Sequence, residues 1–92
     1  MKYVVLPCLF ENDKTKSSKL FGKESLLKDY TIRNIIFFNF DALEPAFEEE
    51  SNTNYTILHL SNTDFATLLT IEEVLDEIQK AFSITNVTLK AN

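Results

Sequence analysis

The chain has 92 residues, 45% of them hydrophobic, and a formal net charge of −5 at pH 7. This length is typical of a single domain, and the apolar content is too high for a disordered chain. One cysteine excludes an internal disulfide and a cysteine-based metal cage, and one glycine excludes the glycine-rich loops that bind phosphate. The composition therefore predicts one globular domain over residues 1–92 that uses no cofactor.

The sequence has no membrane span, since no apolar run reaches the ~18–20 residues that a spanning helix needs. The N-terminal stretch MKYVVLPCLF lacks a small-residue cleavage site and is followed at once by the polar residues ENDKTK, which is atypical of a signal peptide. Cys8 lies in this apolar stretch, so we expect a buried free thiol in a reducing compartment. These features predict a cytoplasmic protein without membrane contact.

The first half of the chain is predicted to contain two strands. Residues 2–10 are rich in β-branched and aromatic side chains, and Pro7 places this first strand at a sheet edge or at a bend. The polar residues 11–24 include the only glycine and are predicted to form a mobile loop. The segment 24–30 has the pattern of one or two helical turns, and 32–40 is predicted to be the second strand.

The second half is predicted to begin with irregular structure. Pro45 cannot donate to a strand ladder, so the segment DALEP is interpreted as the end of the preceding strand region, and 46–54 as a connecting loop. The segments 55–60 and 65–69 predict a hairpin around the turn sequence SNTD. A last strand is predicted over 84–90.

The strongest local signal is that of a helix over residues 71–82. Thr70 is a natural N-cap, and Glu73, three residues later, completes a capping box. Apolar residues follow at the spacing of one buried helix face: Ile71, Val74, Leu75, Ile78 and Phe82. We therefore expect an α+β fold in which four to five antiparallel strands form a small sheet and this helix packs on one face of it.

The predicted strands are apolar on both faces. Between residues 32 and 40, for example, large apolar side chains occupy both odd and even positions, which point to opposite sides of a strand. Strands of this kind are typically covered on both faces. Because one helix covers one face, the other needs the segment 24–30, a barrel-like curl of the sheet or another molecule. We expect a homo-oligomer or a partner protein in this place.

The sequence contains no pattern typical of a catalytic or metal site. His59, the single histidine, lies between two leucines of a predicted strand and is interpreted as half-buried and structural rather than as a general base. Carboxylates occur at Asp41, Glu44 and 48–50, but the order of ligands in a calcium-binding EF-hand loop is absent. We predict no metal, and a binding protein rather than an enzyme.

The charge is unevenly distributed along the chain. Residues 34–79 contain no lysine or arginine, whereas 11–33 hold six of the nine basic residues. Nine acidic residues are predicted to form a partner-binding surface: Asp41, Glu44, Glu48, Glu49, Glu50, Glu72, Glu73, Asp76 and Glu77. Such a surface can contact a basic groove, because it presents negative charge as phosphates do. The alternative interpretation is a solvated face that only keeps the protein soluble.

These features favour a small acidic binding protein without catalytic activity. Its size and acidity suit a phage or mobile-element accessory protein that inhibits a host nucleic-acid-acting enzyme through its acidic surface. The alternatives are a DNA-binding transcription regulator that uses Lys14–Arg33 and a structural or assembly subunit that uses an apolar sheet face. Residues 54–75 resemble LytTR-type DNA-binding modules, but the basic residues that such modules use after the helix are missing here, which disfavours direct nucleic-acid binding.

Overall fold

The computed structural model describes residues 2–22 and 25–82. Within these residues the predicted α+β class is confirmed, and none of the helices is long and apolar enough to cross a membrane. In chain order the elements are β1 (Val4–Phe10), α1 (Asp13–Leu20), a 3₁₀ turn (Leu27–Asp29), β2 (Thr31–Phe37), β3 (Ala42–Glu48), β4 (Thr53–His59), β5 (Asp64–Thr67) and α2 (Ile71–Phe82).

The strands form two small antiparallel sheets instead of the single sheet that we predicted. β1 pairs with β2, and β3, β4 and β5 form a meander in which Leu58 lies opposite Leu43 on one side and Phe65 on the other. The ring of Phe65 also contacts the rings of Phe10 and Phe37 edge to face, with centroids 6.0 and 5.4 Å apart. The two sheets therefore meet through an aromatic contact rather than through a hydrogen-bonded ladder.

The core lies between the inner faces of the two sheets and helix α2. Side chains alternate along β1, so that Leu6 is fully buried while Val5 on the opposite side is exposed. Helix α2 contacts β1, β3 and β4, and it thereby closes a core to which both sheets contribute. The buried apolar residues are Val4, Leu6, Cys8, Phe37, Leu58 and Val74.

Helix α2 begins and ends as predicted, at Ile71 and Phe82. The backbone N–H of Thr70 donates to Oε1 of Glu73 at 2.9 Å, and the N–H of Glu73 donates to Oγ1 of Thr70 at 3.3 Å, which confirms the predicted capping box. Within the predicted apolar stripe, Val74 is fully buried and the other members are partly buried. One apolar face thus attaches the helix to the sheets.

The predicted loop over 11–24 is wrong, because the segment contains helix α1. Its N-cap is Asn12, whose side-chain oxygen accepts from the N–H of Thr15 at 3.0 Å. The amide nitrogen of Asn12 donates to the backbone oxygen of Asp29 at 2.7 Å and to Oγ1 of Thr31 at 3.0 Å. Apart from its last residue, Leu20, the helix is polar, so its sequence carries no apolar periodicity, and contacts with residues distant in sequence stabilise it.

The connecting loop predicted over 46–54 is also wrong, since this segment holds the end of β3, a turn and the start of β4. Pro45 lies within β3, opposite Thr56. Among the described residues β3 pairs only with β4. Proline is tolerated in such an edge strand because a nitrogen that faces away from the partner removes no ladder hydrogen bond. In the turn, Asn52 has a φ of 51°, a conformation that asparagine adopts more readily than most residues.

The remaining predicted strands are present with shifted ends. Within the predicted helical segment 24–30, the described residues hold one 3₁₀ turn at Leu27–Asp29, and the strand predicted over 84–90 lies outside the described residues. The strands predicted over 2–10, 32–40, 55–60 and 65–69 correspond to β1, β2, β4 and β5.

Candidate functional site

The outward side of the β1–β2 sheet carries large apolar side chains that the described residues leave uncovered. Odd positions of β1 and even positions of β2 share this side, because Val5 lies opposite Ile36 and Leu9 opposite Ile32. Five side chains here are between 44% and 56% exposed, and we call them the apolar face: Tyr3, Val5, Ile32, Ile36 and Phe38.

The apolar face is continuous across both strands. At one end the rings of Tyr3 and Phe38 pack edge to face, with their centroids 6.3 Å apart. From position 3 to 9 of the first strand and from 32 to 38 of the second, no residue on this side is charged, and Asn34 is the one residue with an amide side chain. A neutral surface of this kind binds through burial of apolar area.

The size of the apolar face sets it apart from scattered surface residues. Its five side chains together expose on the order of 500 Å², which is near the upper end for the largest apolar patch on a monomeric protein. The segment 24–30 was predicted as one possible cover of this face. Its described part lies at the end of β3 instead, where the N–H of Leu27 donates to Oε2 of Glu48 at 3.0 Å. Contiguous patches of this size typically mark interaction sites.

The predicted acidic surface is partly engaged in contacts within the chain. Glu73 belongs to the capping box of α2, and Glu48 accepts from the Leu27 N–H and from the Ser51 hydroxyl. Asp76 and Glu77 lie 3.0 and 3.9 Å from the Nζ of Lys80. These carboxylates contribute to helix and turn structure, and their charge is partly compensated.

Four of the predicted acidic residues make no side-chain hydrogen bond or ion pair with the described part of the chain: Asp41, Glu49, Glu50 and Glu72. The first turn of α2 lies beside β3, since Pro45, Ala46 and Glu72 line one open cleft. The structure therefore places Glu72 of α2 next to strand β3, which carries Glu44 and Glu48. The role of the nine residues as a partner surface stays a prediction.

His59 connects three strands through two carboxylates. Its Nε2 lies 2.8 Å from Oε1 of Glu44 on β3, and its Nδ1 lies 2.9 Å from Oδ1 of Asp64 on β5. The hydrogen bonds to Glu44 and then to Asp64 raise the pKa of His59 above its ordinary value. Because both ring nitrogens are engaged, neither is free to act on a substrate in this arrangement. Among the described residues, no group of three or more ligand side chains could hold a metal ion.

The basic residues between 11 and 33 are also partly paired. The Nζ of Lys14 lies 2.9 Å from Oδ1 of Asp29, and Lys19 pairs with Glu11. The guanidinium of Arg33 lies over the ring of Phe10, 5.7 Å from its centroid. This region therefore presents less free positive charge than its composition indicates.

The structure adds the apolar face as a site that the predicted set of acidic residues did not include. Its signal in the sequence was the apolar character of both faces of the strands. In comparisons with known proteins, no family model matches the chain, and no curated protein and no solved structure proved similar to it. The function is therefore argued from these surfaces alone.

Proposed function

We propose that this protein is a non-catalytic protein-binding domain whose principal contact is the apolar face. The observation that carries the proposal is the continuous, uncharged group of five large side chains on the outward side of β1–β2. Burial of about 500 Å² of apolar area favours association by on the order of 10 kcal/mol before the costs of binding are subtracted. These side chains gain no comparable free energy while they remain exposed to water.

This proposal favours the structural or assembly role over the other functions predicted from the sequence. The DNA-binding regulator has weaker support, because Lys14, Lys19 and Arg33 already contact residues of the same chain. The acidic surface also has weaker support, since five of its nine carboxylates make contacts within the chain. The apolar face, by contrast, is left exposed by the described residues.

A photo-crosslinking experiment tests this proposal. The photoreactive amino acid benzoylphenylalanine replaces Phe38 on the apolar face or, as a matched control, Phe21, which is 79% exposed beyond the end of α1. Irradiation of the purified chain and of cells that express it should crosslink a protein at position 38 and none at position 21. The same crosslink should weaken when Ile36→Lys is added. Absence of any crosslink at position 38 in both settings would refute the proposal.

A second candidate function is inhibition of a nucleic-acid-acting enzyme by occupation of its basic groove. The observation that favours it is the set of four carboxylates without a side-chain partner among the described residues, in a region from 34 to 79 that has no basic residue. Negative charge of this kind accelerates encounter with a basic groove and competes with phosphates. In this role the chain would be a cytoplasmic accessory protein of a phage or mobile element, in keeping with its free thiol.

Charge reversal in the turn after β3 tests this second function. Glu49→Lys combined with Glu50→Lys changes two exposed residues whose side chains pair with none of the described residues, so the fold should be retained. Capture of basic proteins from host lysate should fall in this variant, and for the wild type it should fall as salt rises. Glu48 is left unchanged because it accepts from the Leu27 N–H. Undiminished, salt-independent capture by the variant would exclude the acidic surface as the contact.

A further inference from the structure

The occupant that best fits the apolar face is a second copy of this chain. We propose that two copies pack their β1–β2 sheets face to face, an inference that rests on the proposed function and names the partner. Two-fold contacts between identical surfaces are the commonest arrangement among soluble homo-oligomers. Three properties of the face support this partner: its charge, its area and its position on the sheet.

The charge of the face suits a partner with the same net charge. Each copy carries a formal charge of −5, so two copies repel one another wherever acidic surfaces meet. The outward positions 3–9 and 32–38 carry no charge, and the acidic residues belong to other elements. The face is thus a surface on which two acidic chains can meet without juxtaposing carboxylates. A basic partner would find no opposite charge there.

The area of the face is sufficient for a dimer. Each copy contributes on the order of 500 Å² from the five exposed side chains, so that two copies bury about 1,000 Å², which is the threshold for a specific interface. The half-buried residues Pro7 and Leu9 lie on the same side and add to this area. The absence of charge from its centre is also typical of interface cores.

The position of the face on the sheet favours stacking over extension of the sheet. Among the described residues β2 pairs only with β1, so its other edge could accept a strand. Edge-to-edge pairing of two β2 strands would enlarge the sheet but leave the apolar side chains in water. Face-to-face packing, with sheets about 10 Å apart, removes these side chains from water and is therefore the arrangement that we propose.

The register of β1 and β2 sets the order of the side chains along the apolar face. Along the face the opposed pairs run from Tyr3–Phe38 through Val5–Ile36 and Pro7–Asn34 to Leu9–Ile32. A two-fold axis that lies in the plane between the two sheets and crosses the strands between the Val5–Ile36 and Pro7–Asn34 pairs places the aromatic end of one copy over the aliphatic end of the other.

Mass measurement of the full chain by light scattering across a dilution series tests the inference. The wild type should have twice the chain mass of 10.6 kDa and should dissociate on dilution. Ile36→Lys should abolish the dimer. Ile36→Thr keeps the β-branched shape but removes apolar contact area. Because residue 36 of each copy lies in the interface, the loss occurs twice per dimer and should raise the dissociation constant about tenfold. Leu20 on α1 is 85% exposed and Phe47 on β3 is 50% exposed, and both lie outside the apolar face. Leu20→Lys and Phe47→Lys are therefore matched controls that should leave the dimer intact.

The outcomes separate this inference from the proposed function. Circular dichroism spectra equal to that of the wild type show that each variant is folded, and the photoreactive residue at position 38 should give a homodimer in the purified chain. A monomer that crosslinks a different protein at position 38 would overturn the second copy as partner but retain the binding function. A monomer without any crosslink there would overturn both. A dimer that persists in Ile36→Lys would show that another surface pairs the copies.

Discussion

His59 on β4 and Glu44 on β3 form an ion pair across two neighbouring strands, with 2.8 Å between Nε2 and Oε1. The other ring nitrogen lies 2.9 Å from Asp64 on β5, so a protonated imidazole donates to carboxylates on both sides. Edge strand β3 is thereby linked to β5 through a side chain of the strand between them. The strength of this link depends on whether the ring carries a proton.

The stability of the protein should therefore decrease as pH rises above neutrality. The pKa of His59 in the folded protein is raised above the value of about 6.5 that holds in the unfolded chain. The stabilisation is then fully present below about pH 6.5 and is lost as pH rises through the folded pKa. Urea unfolding at a series of pH values measures this loss. This dependence of stability on pH should vanish in His59→Gln, since the chain has no other histidine. In Glu44→Gln it should persist in reduced form. A wild-type midpoint without pH dependence in this range would contradict the link.

The thiol of Cys8 should be protected in the native protein. Cys8 is fully buried, and burial raises its pKa to about 11, so the reactive thiolate is scarce near neutral pH. A thiol reagent should modify the native chain slowly and the urea-unfolded chain rapidly. The variant Leu20→Cys supplies an exposed thiol as a positive control. Equal modification rates for Cys8 in native and unfolded protein would place the thiol outside the core.

Three leucine-to-alanine substitutions should rank by burial. Leu58 is fully buried at the centre of the meander, and Leu58→Ala should cost about 2–5 kcal/mol of unfolding free energy through the cavity that it leaves. Leu75 on α2 is partly buried, so Leu75→Ala should cost less. Leu20→Ala at an exposed position should change stability by at most about 0.5 kcal/mol. Urea melts measure the series, and a different order would mean that the core is assigned to the wrong side chains.

Loss of the helix cap should have a smaller effect than loss of core volume. Thr70→Ala removes the hydroxyl that accepts from the Glu73 N–H and should destabilise the protein by about 1 kcal/mol. Glu73→Gln retains an oxygen that can accept from the Thr70 N–H and should cost less. Thermal unfolding of both variants provides the comparison. An unchanged melting temperature for Thr70→Ala would show that the cap has no energetic role.

Elements with strong local periodicity were predictable from the sequence. The capping box and apolar stripe gave the bounds of α2, and apolar runs rich in β-branched and aromatic residues gave the approximate positions of β1, β2, β4 and β5. Helix α1 was missed because it has no apolar stripe and is held by the contacts of Asn12 with Asp29 and Thr31, which are remote in sequence. Strand β3 was missed because Pro45 disfavours a central strand but not an edge strand.

Features that depend on pairing between distant segments were not predictable in this way. The division into two sheets follows from which strands meet, and local patterns do not determine this. The sequence showed that the strands are apolar on both faces, but only the packed structure shows that the side with Ile32 and Ile36 is exposed. Likewise, the pairing of Glu44 with His59 follows from the register of β3 and β4.

The lengths of the strand connections also order the events of folding. Residues 11–30 join β1 to β2, whereas the turns of the meander span only 49–52 and 60–63. A connection about five times longer costs about 1.4 kcal/mol more in loop-closure entropy, so we expect the meander to form in the folding transition state and the β1–β2 pair to join later. Leu58→Ala should then slow folding, whereas Val4→Ala should mainly accelerate unfolding. Stopped-flow kinetics measures both rates, and the opposite pattern would contradict this order of events. If β1 and β2 pair last, the apolar face that they share is complete only in the fully folded chain, so a partially folded chain should not dimerise through it.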